Sequence, residues 1–342
     1  MNERILRALN CEPAECTPVW FMRQARRSLP KYRESRADRA MLDILRDPEA
    51  AAEITALPLE YFPVDAAVLY NDIATPFIPA GVGLEIRPGV GPVVERPVET
   101  EADVARLEPF DARVALDFSL EQIRILRRRL DVPVLGFIGA PFTLCSYLVG
   151  GTRRRDAAHL KSWIWGRPEA WRRLGEYWVH HLAEFGIAQR EAGAACVQVF
   201  DSWAGALSPE EYRAHVLPHS RALIERMSAS GVPVIHFATG NPALLSLLAE
   251  AGGDVIGVDW RQPLDEAWSV VGRDRGIQGN LDPAALLAGE AVALAKTRDI
   301  LDRAGGRPGH IFNVGHGLLP ETDPAVVRAV VDFVHDYTAK HS

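Results

Sequence analysis

Cysteine is scarce in this chain: Cys11, Cys16, Cys145 and Cys196 are the only four among 342 residues, too few and too scattered to staple a fold of this size. That usage suits a reducing compartment. Cys11 and Cys16 stand close together, but no further Cys or His pair follows at zinc-site spacing, so idle or buried thiols are expected and no metal. Long apolar runs are missing too: nothing approaches the ~18 uninterrupted apolar residues of a membrane span, and residues 1–16 contain no signal-peptide core. A cytoplasmic protein without a membrane partner is the resulting expectation. The net charge of −7 leaves no broad basic face, which argues against generic binding to nucleic acid or anionic lipid. The G-x-G-x-x-G fingerprint of dinucleotide binders is absent, and no G-x-S-x-G elbow surrounds Ser202, so neither a Rossmann cofactor nor a serine hydrolase is expected.

What is present is a globular composition, 48% hydrophobic and 24% charged, with no repeat, linker or low-complexity segment to divide it. Eight short apolar runs recur, each followed by a longer helix-like stretch: one at 17–20, then runs starting at Asp65, Pro133, Ala195, Pro233, Asp254, Gly276 and His310. Apolar and β-branched runs without clean alternation fit strands buried on both faces, as in a parallel sheet. Between them, Ser208 with Glu211 three residues on marks a capping-box helix start. Eight strand-helix alternations favour a single (β/α)8 barrel of the TIM type over residues 1–342, ahead of an open doubly wound sheet. Residues 83–98 form two alternating runs around a Gly/Pro turn, an inserted β-hairpin between the second and third strands. Trp163, Trp165, Trp171 and Trp178 fall in one helical region and are expected to pack rather than to hold a ligand.

In such a barrel the chemistry sits at the C-terminal ends of the strands, where the following loops converge. Polar residues recur at those ends: Arg23 and Arg27, Asn71 and Asp72, Tyr147, Asp201 and Ser202, Thr239, Asp259, Asn280 and Asp282, and His316. The segment 21–39 carries seven basic residues against two acidic ones, a local balance of 7 − 2 = +5 in an acidic chain. Arginine keeps its charge and presents a planar fork of donors, so this stretch suits a ligand with several carboxylates; a solvated basic helix face is the plainer alternative. If that stretch is helical, Arg23 and Arg27 share a side. Asp72, directly after an apolar strand, needs donors or cations around it, whether as a site residue or as a loop cap. Tyr147, Ser202 and the glycine-flanked His316 each have an equally plain structural reading, as a core phenol, a loop serine and a structural histidine.

Taken in order, PVWFMRQARRSLPKYR, DAAVLYNDI, LGFIGAPFTLCSYL, VQVFDSWAGALSPEEY, PVIHFATG, QGNLDP and HIFNVGHGLLPET resemble the uroporphyrinogen decarboxylase family over nearly the whole chain. The resemblance implies a β/α barrel, a homodimer, and cofactor-independent removal of carboxyl groups from a tetrapyrrole's acetate side chains in porphyrin and heme biosynthesis. Carried over residue by residue, it implies that Asp72, Arg23 and Arg27 are catalytic. It also implies that Arg23, Arg27, Arg36, Asp72, Tyr147, Ser202 and His316 bind substrate, with no metal and no organic cofactor. Departures sit beside the arginines, where Arg26, Ser28 and Lys31 replace the family's usual Gly, Tyr and Glu. A rival enzyme class in the same superfamily, the corrinoid-dependent methyltransferases, uses His-x-Cys-Gly to bind zinc, whereas this chain reads His236, Phe237, Ala238 without a thiolate. A tetrapyrrole carrier that binds without turnover is the alternative of a different class.

Overall fold

The computed structural model describes residues 2–340 apart from 26, 27, 37, 38, 88, 89, 150 and 152–156. Nine strands are present among the described residues: β1 Ala67–Val68, β2 Leu84–Arg87, β3 Gly91–Val94, β4 Val134–Gly139, β5 Cys196–Asp201, β6 Val234–Ala238, β7 Val255–Gly257, β8 Gly276–Gln278 and β9 His310–Ile311. Seven of them pair in parallel in the order β1-β4-β5-β6-β7-β8-β9, while β2 and β3 pair antiparallel as a separate hairpin. Every residue of β4 and all but Phe200 of β5 are buried, which is why these runs show no polar alternation.

The sheet curls until a short segment, 18–20, bridges its two edges. Val19 pairs in parallel with Phe312 beyond β9, and its carbonyl accepts the Asp65 N–H, just before β1, at 2.7 Å. The first apolar run therefore occupies the eighth position of the barrel, though its pairing is a single bridge rather than a full strand. Its side chains matter more than its ladder: Trp20 Nε1 donates to Gln278 Oε1 at 3.0 Å, and Gln278 Nε2 donates to Gln198 Oε1 at 2.9 Å. Trp20, Met22, Val68, Leu135, Phe137, Ile235, Phe237 and Ile311 belong to one buried apolar cluster, the packed interior expected of a barrel this size.

At the N-terminal ends of the strands, Asp65 is a fully buried hub. It accepts from Asn2 Nδ2 at 2.7 Å, Arg4 Nη1 at 2.9 Å, the Val19 N–H at 2.7 Å and His335 Nε2 at 2.7 Å, tying the first helix and the last helix to the 18–20 segment and to the start of β1. Outside the sheet the helices supply a second, larger apolar cluster. The 25-residue helix Pro168–Ala192 buries Trp171 and Trp178, and Trp163 on the preceding helix is equally buried, so three of the four clustered tryptophans are packing as expected. Trp165 is the exception, at 59% exposed, because it stands on the outer face of its helix. The Ser208–Glu211 capping box forms, but the helix it starts ends at His215 and a second runs over Leu217–Ala229, the break falling beside Pro218.

Candidate active site

One cavity of about 610 Å³ opens at the C-terminal ends of the barrel strands. Its floor is apolar, made by Met22, Val68, Leu69, Phe137, Phe200 and Phe237, and its walls carry Arg23, Arg36, Tyr70, Asp72, Tyr147, Ser202 and His316. Six of the seven site residues read from the sequence therefore meet in one place. The seventh, Arg27, lies outside the described residues, as does its neighbour Arg26.

Arg23 is not on a helix. It has φ of +60°, a left-handed conformation that costs a non-glycine residue of order 1–3 kcal/mol, so the shared helical side expected for Arg23 and Arg27 is not formed at this end. The strain is held by the neighbours. Gln24, fully buried, accepts the Phe21 N–H at 3.1 Å and donates to the Ala66 carbonyl at 3.0 Å, while Asn313 Oδ1 accepts the Met22 N–H at 3.0 Å. The Leu318 N–H then bonds the Met22 carbonyl at 3.0 Å, so the loop carrying His316 and the turn carrying Arg23 are stitched together. The glycines beside His316 make this approach possible: a Cβ on Gly315 would stand 2.7 Å from the Trp260 nitrogen, and one on Gly317 would stand 2.7 Å from Arg23 Cδ.

Asp72 follows β1 in a tight turn. Its Oδ1 accepts the Ala74 N–H at 2.9 Å and its carbonyl accepts the Thr75 N–H at 3.0 Å. The loop-cap reading and the site reading are thus both true of it, since the same side chain faces the cavity. Asn71 fixes the turn, accepting from the Asp72 N–H at 2.9 Å and Thr75 Oγ1 at 2.6 Å while donating to Ser119 Oγ at 3.1 Å. Burial raises the Asp72 carboxyl above the ordinary carboxylate range, against the opposing pull of the Ala74 N–H and the Arg23 charge. Among the described residues it is the only carboxylate on a cavity wall otherwise supplied with Arg23, Arg36, Arg87 and His316.

Arg36 comes from the helix Pro30–Arg36. Its Nη1 donates to the Tyr32 hydroxyl at 3.3 Å, and the Tyr32 and Tyr70 hydroxyls stand 3.5 Å apart. Burial pushes the Tyr70 phenol up, so it remains a neutral donor. Lys31, one of the departures from the family pattern, points elsewhere and pairs with Glu60. Tyr147 and Ser202 enter from the helix Pro141–Leu148 and from the end of β5, and Tyr147 meets the Trp203 ring edge-on at 5.9 Å.

Of the other polar strand ends Asn71 also lines this cavity, whereas Asp201, Thr239, Asp259, Asn280 and Asp282 do not. Asp259 accepts from Thr239 Oγ1 at 2.8 Å and the Gly240 N–H at 2.7 Å, Asn280 donates to the Asp259 and Gln262 carbonyls at 2.9 and 2.8 Å, and Asp282 caps the helix Pro283–Leu287. Thr239 and Asp259 border a separate hollow of about 30 Å³, room for a water molecule. Asp201 is buried behind Ser202. Conversely, the cavity uses residues the sequence did not single out: Tyr32, Tyr70, the aromatic floor, and the hairpin β2-β3, whose Ile86, Arg87, Gly91 and Pro92 form one wall. The hairpin itself was legible, its position over the cavity was not. Gln24 and Asn313 carried a faint signal, as polar residues set against apolar runs.

The geometry joins a set of guanidinium groups suited to carboxylates, one carboxyl of raised proton affinity and an aromatic floor for a flat or domed ring. Among the described residues no group of three or more His, Cys, Asp or Glu is placed to hold a metal ion. His236, the position that matters for the zinc-using rival, is fully buried, while its neighbour Phe237 is the residue facing the cavity.

Comparison with known proteins agrees with this picture. The most similar solved folds include a methyltransferase from Methanosarcina mazei, with a TM-score of 0.79 at 20% identity over 98% of each chain, a likeness of fold alone. In sequence, the uroporphyrinogen decarboxylase of Sorangium cellulosum is 48% identical over 337 residues, covering 98% of this chain and 96% of that one. The uroporphyrinogen decarboxylase of Streptomyces coelicolor is 49% identical over 340 residues, covering 99% of this chain and 96% of the other. The family model described as uroporphyrinogen decarboxylase (URO-D) matches residues 1–337, and with relatives this close over the full length the chain belongs to the uroporphyrinogen decarboxylase family.

Proposed function

We propose that the chain is a carboxy-lyase that converts the four acetate side chains of uroporphyrinogen III to methyl groups, giving coproporphyrinogen III and CO2 in porphyrin and heme biosynthesis. The observation that carries this reading is the placement of Asp72, the sole carboxylate among the described cavity-lining residues, in a cavity that Arg23, Arg36 and Arg87 also line.

An acetate carboxylate on a pyrrole leaves as CO2 only if the electrons of the breaking C–C bond have somewhere to go. Protonation of the adjacent ring carbon turns the pyrrole into an iminium-like sink; the bond to the carboxylate then breaks into it. The exocyclic carbon takes up one proton, and the ring carbon returns the proton it borrowed. The net change is one proton in and one CO2 out. Asp72 accepts hydrogen bonds from the converging pyrrole N–H groups, and its negative charge stabilises the cationic ring as charge develops. Filling the cavity with such donors also favours the ionised form of a carboxyl that burial alone raises. Arg23, Arg27 and Arg36 grip acetate and propionate carboxylates bidentately, and an arginine-held water is as fit a proton carrier as the weakly acidic guanidinium itself. Tyr147, Ser202 and His316 complete the carboxylate contacts and set the ring's orientation.

The substrate thus provides its own electron sink, and turnover needs no metal or added cofactor. The family resemblance further supports a homodimer, a cytoplasmic location and a single domain over residues 1–342; among the described residues no helix is long and apolar enough to cross a membrane. The test is release of labelled CO2 from uroporphyrinogen III carrying 13C in its acetate carboxyls, under anaerobic conditions and with a chelator present. Labelled CO2 supports the reading. Tight binding without CO2 makes the protein a carrier, and CO2 release that stops with the chelator and returns with zinc restores a metal-dependent mechanism.

A further inference from the structure

Ser202 and Tyr147 reach the cavity from different elements, and one buried carboxyl ties those elements together. Asp201, the last residue of β5, has no exposed surface. Its Oδ1 accepts from Thr143 Oγ1 at 2.8 Å, and the same hydroxyl accepts the Trp203 N–H at 3.3 Å. Thr143 lies one helical turn before Tyr147 on the helix Pro141–Leu148, and the Trp203 indole meets the Tyr147 ring at 5.9 Å and 83°. The contacts form a closed loop, Asp201 to Thr143 to Trp203 to Tyr147, with Ser202 held between Asp201 and Trp203.

We propose that Asp201 in its protonated form is a positioning residue for the decarboxylation, holding Tyr147 and Ser202 in register, and that its ionisation slackens this hold. The inference rests on the cavity being the decarboxylation site. Asp201 Oδ2 is buried without a hydrogen-bond partner, so an ionised carboxylate has one donor for two oxygens and must draw water into the contact between β5 and the helix. Among the described residues no countercharge faces Asp201. Cys145, on the same helix as Thr143, and Tyr212, on the helix Pro209–His215, both feel the Asp201 charge, and burial keeps each of them neutral. Across the sheet, the residue in register with Asp201 is Ala238. Burial pushes the Asp201 carboxyl up to about 7, opposed among the described residues by the Thr143 hydroxyl, so the protein at neutral pH stands at the edge of this change.

The experiment compares kcat/KM against pH for the wild type, Asp201→Asn and Asp201→Leu, with Trp203 emission followed alongside as the difference between each protein and its Trp203→Phe counterpart. An amide keeps an acceptor for Thr143 and cannot ionise. The wild type should therefore lose kcat/KM above about pH 7, approaching tenfold per pH unit, while Asp201→Asn holds its value through that range. Asp201→Leu, lacking the acceptor, should be lowered at every pH. Trp203 emission should titrate through the same break in the wild type and stay level in Asp201→Asn. Superimposable pH profiles for the wild type and Asp201→Asn overturn the proposal, as does a Trp203 signal that titrates equally in both. A wild type with no turnover at any pH instead sinks the functional reading, and the Trp203 titration then decides the clamp by itself.

Discussion

The aliphatic stem of Arg23 crosses the face of Gly317 so closely that a Cβ on that glycine would stand 2.7 Å from Arg23 Cδ and 3.0 Å from Cγ. The two residues are almost three hundred positions apart, yet the bare glycine is what lets the guanidinium reach the cavity from a left-handed turn. Gly317→Ala should fold, since its clash is with a side chain and not with backbone, but it pushes the Arg23 arm aside. A displacement of about 1 Å at a substrate-gripping group commonly costs on the order of 10²-fold. Steady-state kinetics should show kcat/KM down by ~10- to 100-fold with unchanged circular dichroism; full activity would show that Arg23 has no fixed place in the reaction.

Asp72→Asn keeps the turn, because an amide oxygen still accepts the Ala74 N–H, but removes the charge that stabilises a cationic ring. Loss of about 10²-fold or more in kcat is expected, with the fold intact. Because burial raises the Asp72 carboxyl, the wild-type kcat/KM should also fall on the acid side at a pH above the ordinary carboxylate value of 3.8. Near-wild-type turnover in the variant would leave Asp72 a loop cap.

The Asp65 hub, at the opposite end of the barrel, acts on stability and not on chemistry. Burial raises its carboxyl, but the hydrogen bond and charge of His335, together with the Val19 N–H and Asn2, more than reverse this and leave it lowered. A lowered folded-state value means stabilisation that is present above the unfolded value near 3.8 and lost as pH falls through the folded one. Asp65→Asn leaves Arg4 and His335 facing a neutral group; both are partly exposed and Arg4 keeps Glu15, so the cost is that of weakened hydrogen bonds to a charged group, about 1.5–3 kcal/mol. Urea unfolding at pH 7 should show that deficit, and the gap between variant and wild type should narrow below about pH 4. A gap independent of pH would mean the cost is one of packing and not of charge.

Much of this architecture was legible because the eight apolar runs carry the barrel's period without needing tertiary information. The limits of that reading are equally physical. Residues 18–20 form a strand position only through partners at Asp65 and Phe312, contacts no local pattern encodes. Strand-end polarity located Asp72, Ser202 and His316, but it counted Thr239, Asp259 and Asn280 with them, and those side chains turn out to fasten their own loops. Direction is what sequence withholds. The basic density of 21–39 was visible, whereas the turn that aims Arg23 depends on Gln24 and Asn313 reaching across the barrel. The family resemblance selected the cavity residues that spacing alone left ambiguous.

The most direct test of the central claim is to incubate the purified protein anaerobically with uroporphyrinogen III, oxidise the mixture, and separate the fluorescent porphyrins by carboxylate number. Sequential loss of acetate carboxyls predicts intermediates stepping down from the octacarboxylate and accumulating as the tetracarboxylate coproporphyrin. Recovery of the octacarboxylate alone, with protein that is folded and binds the ring, would contradict it.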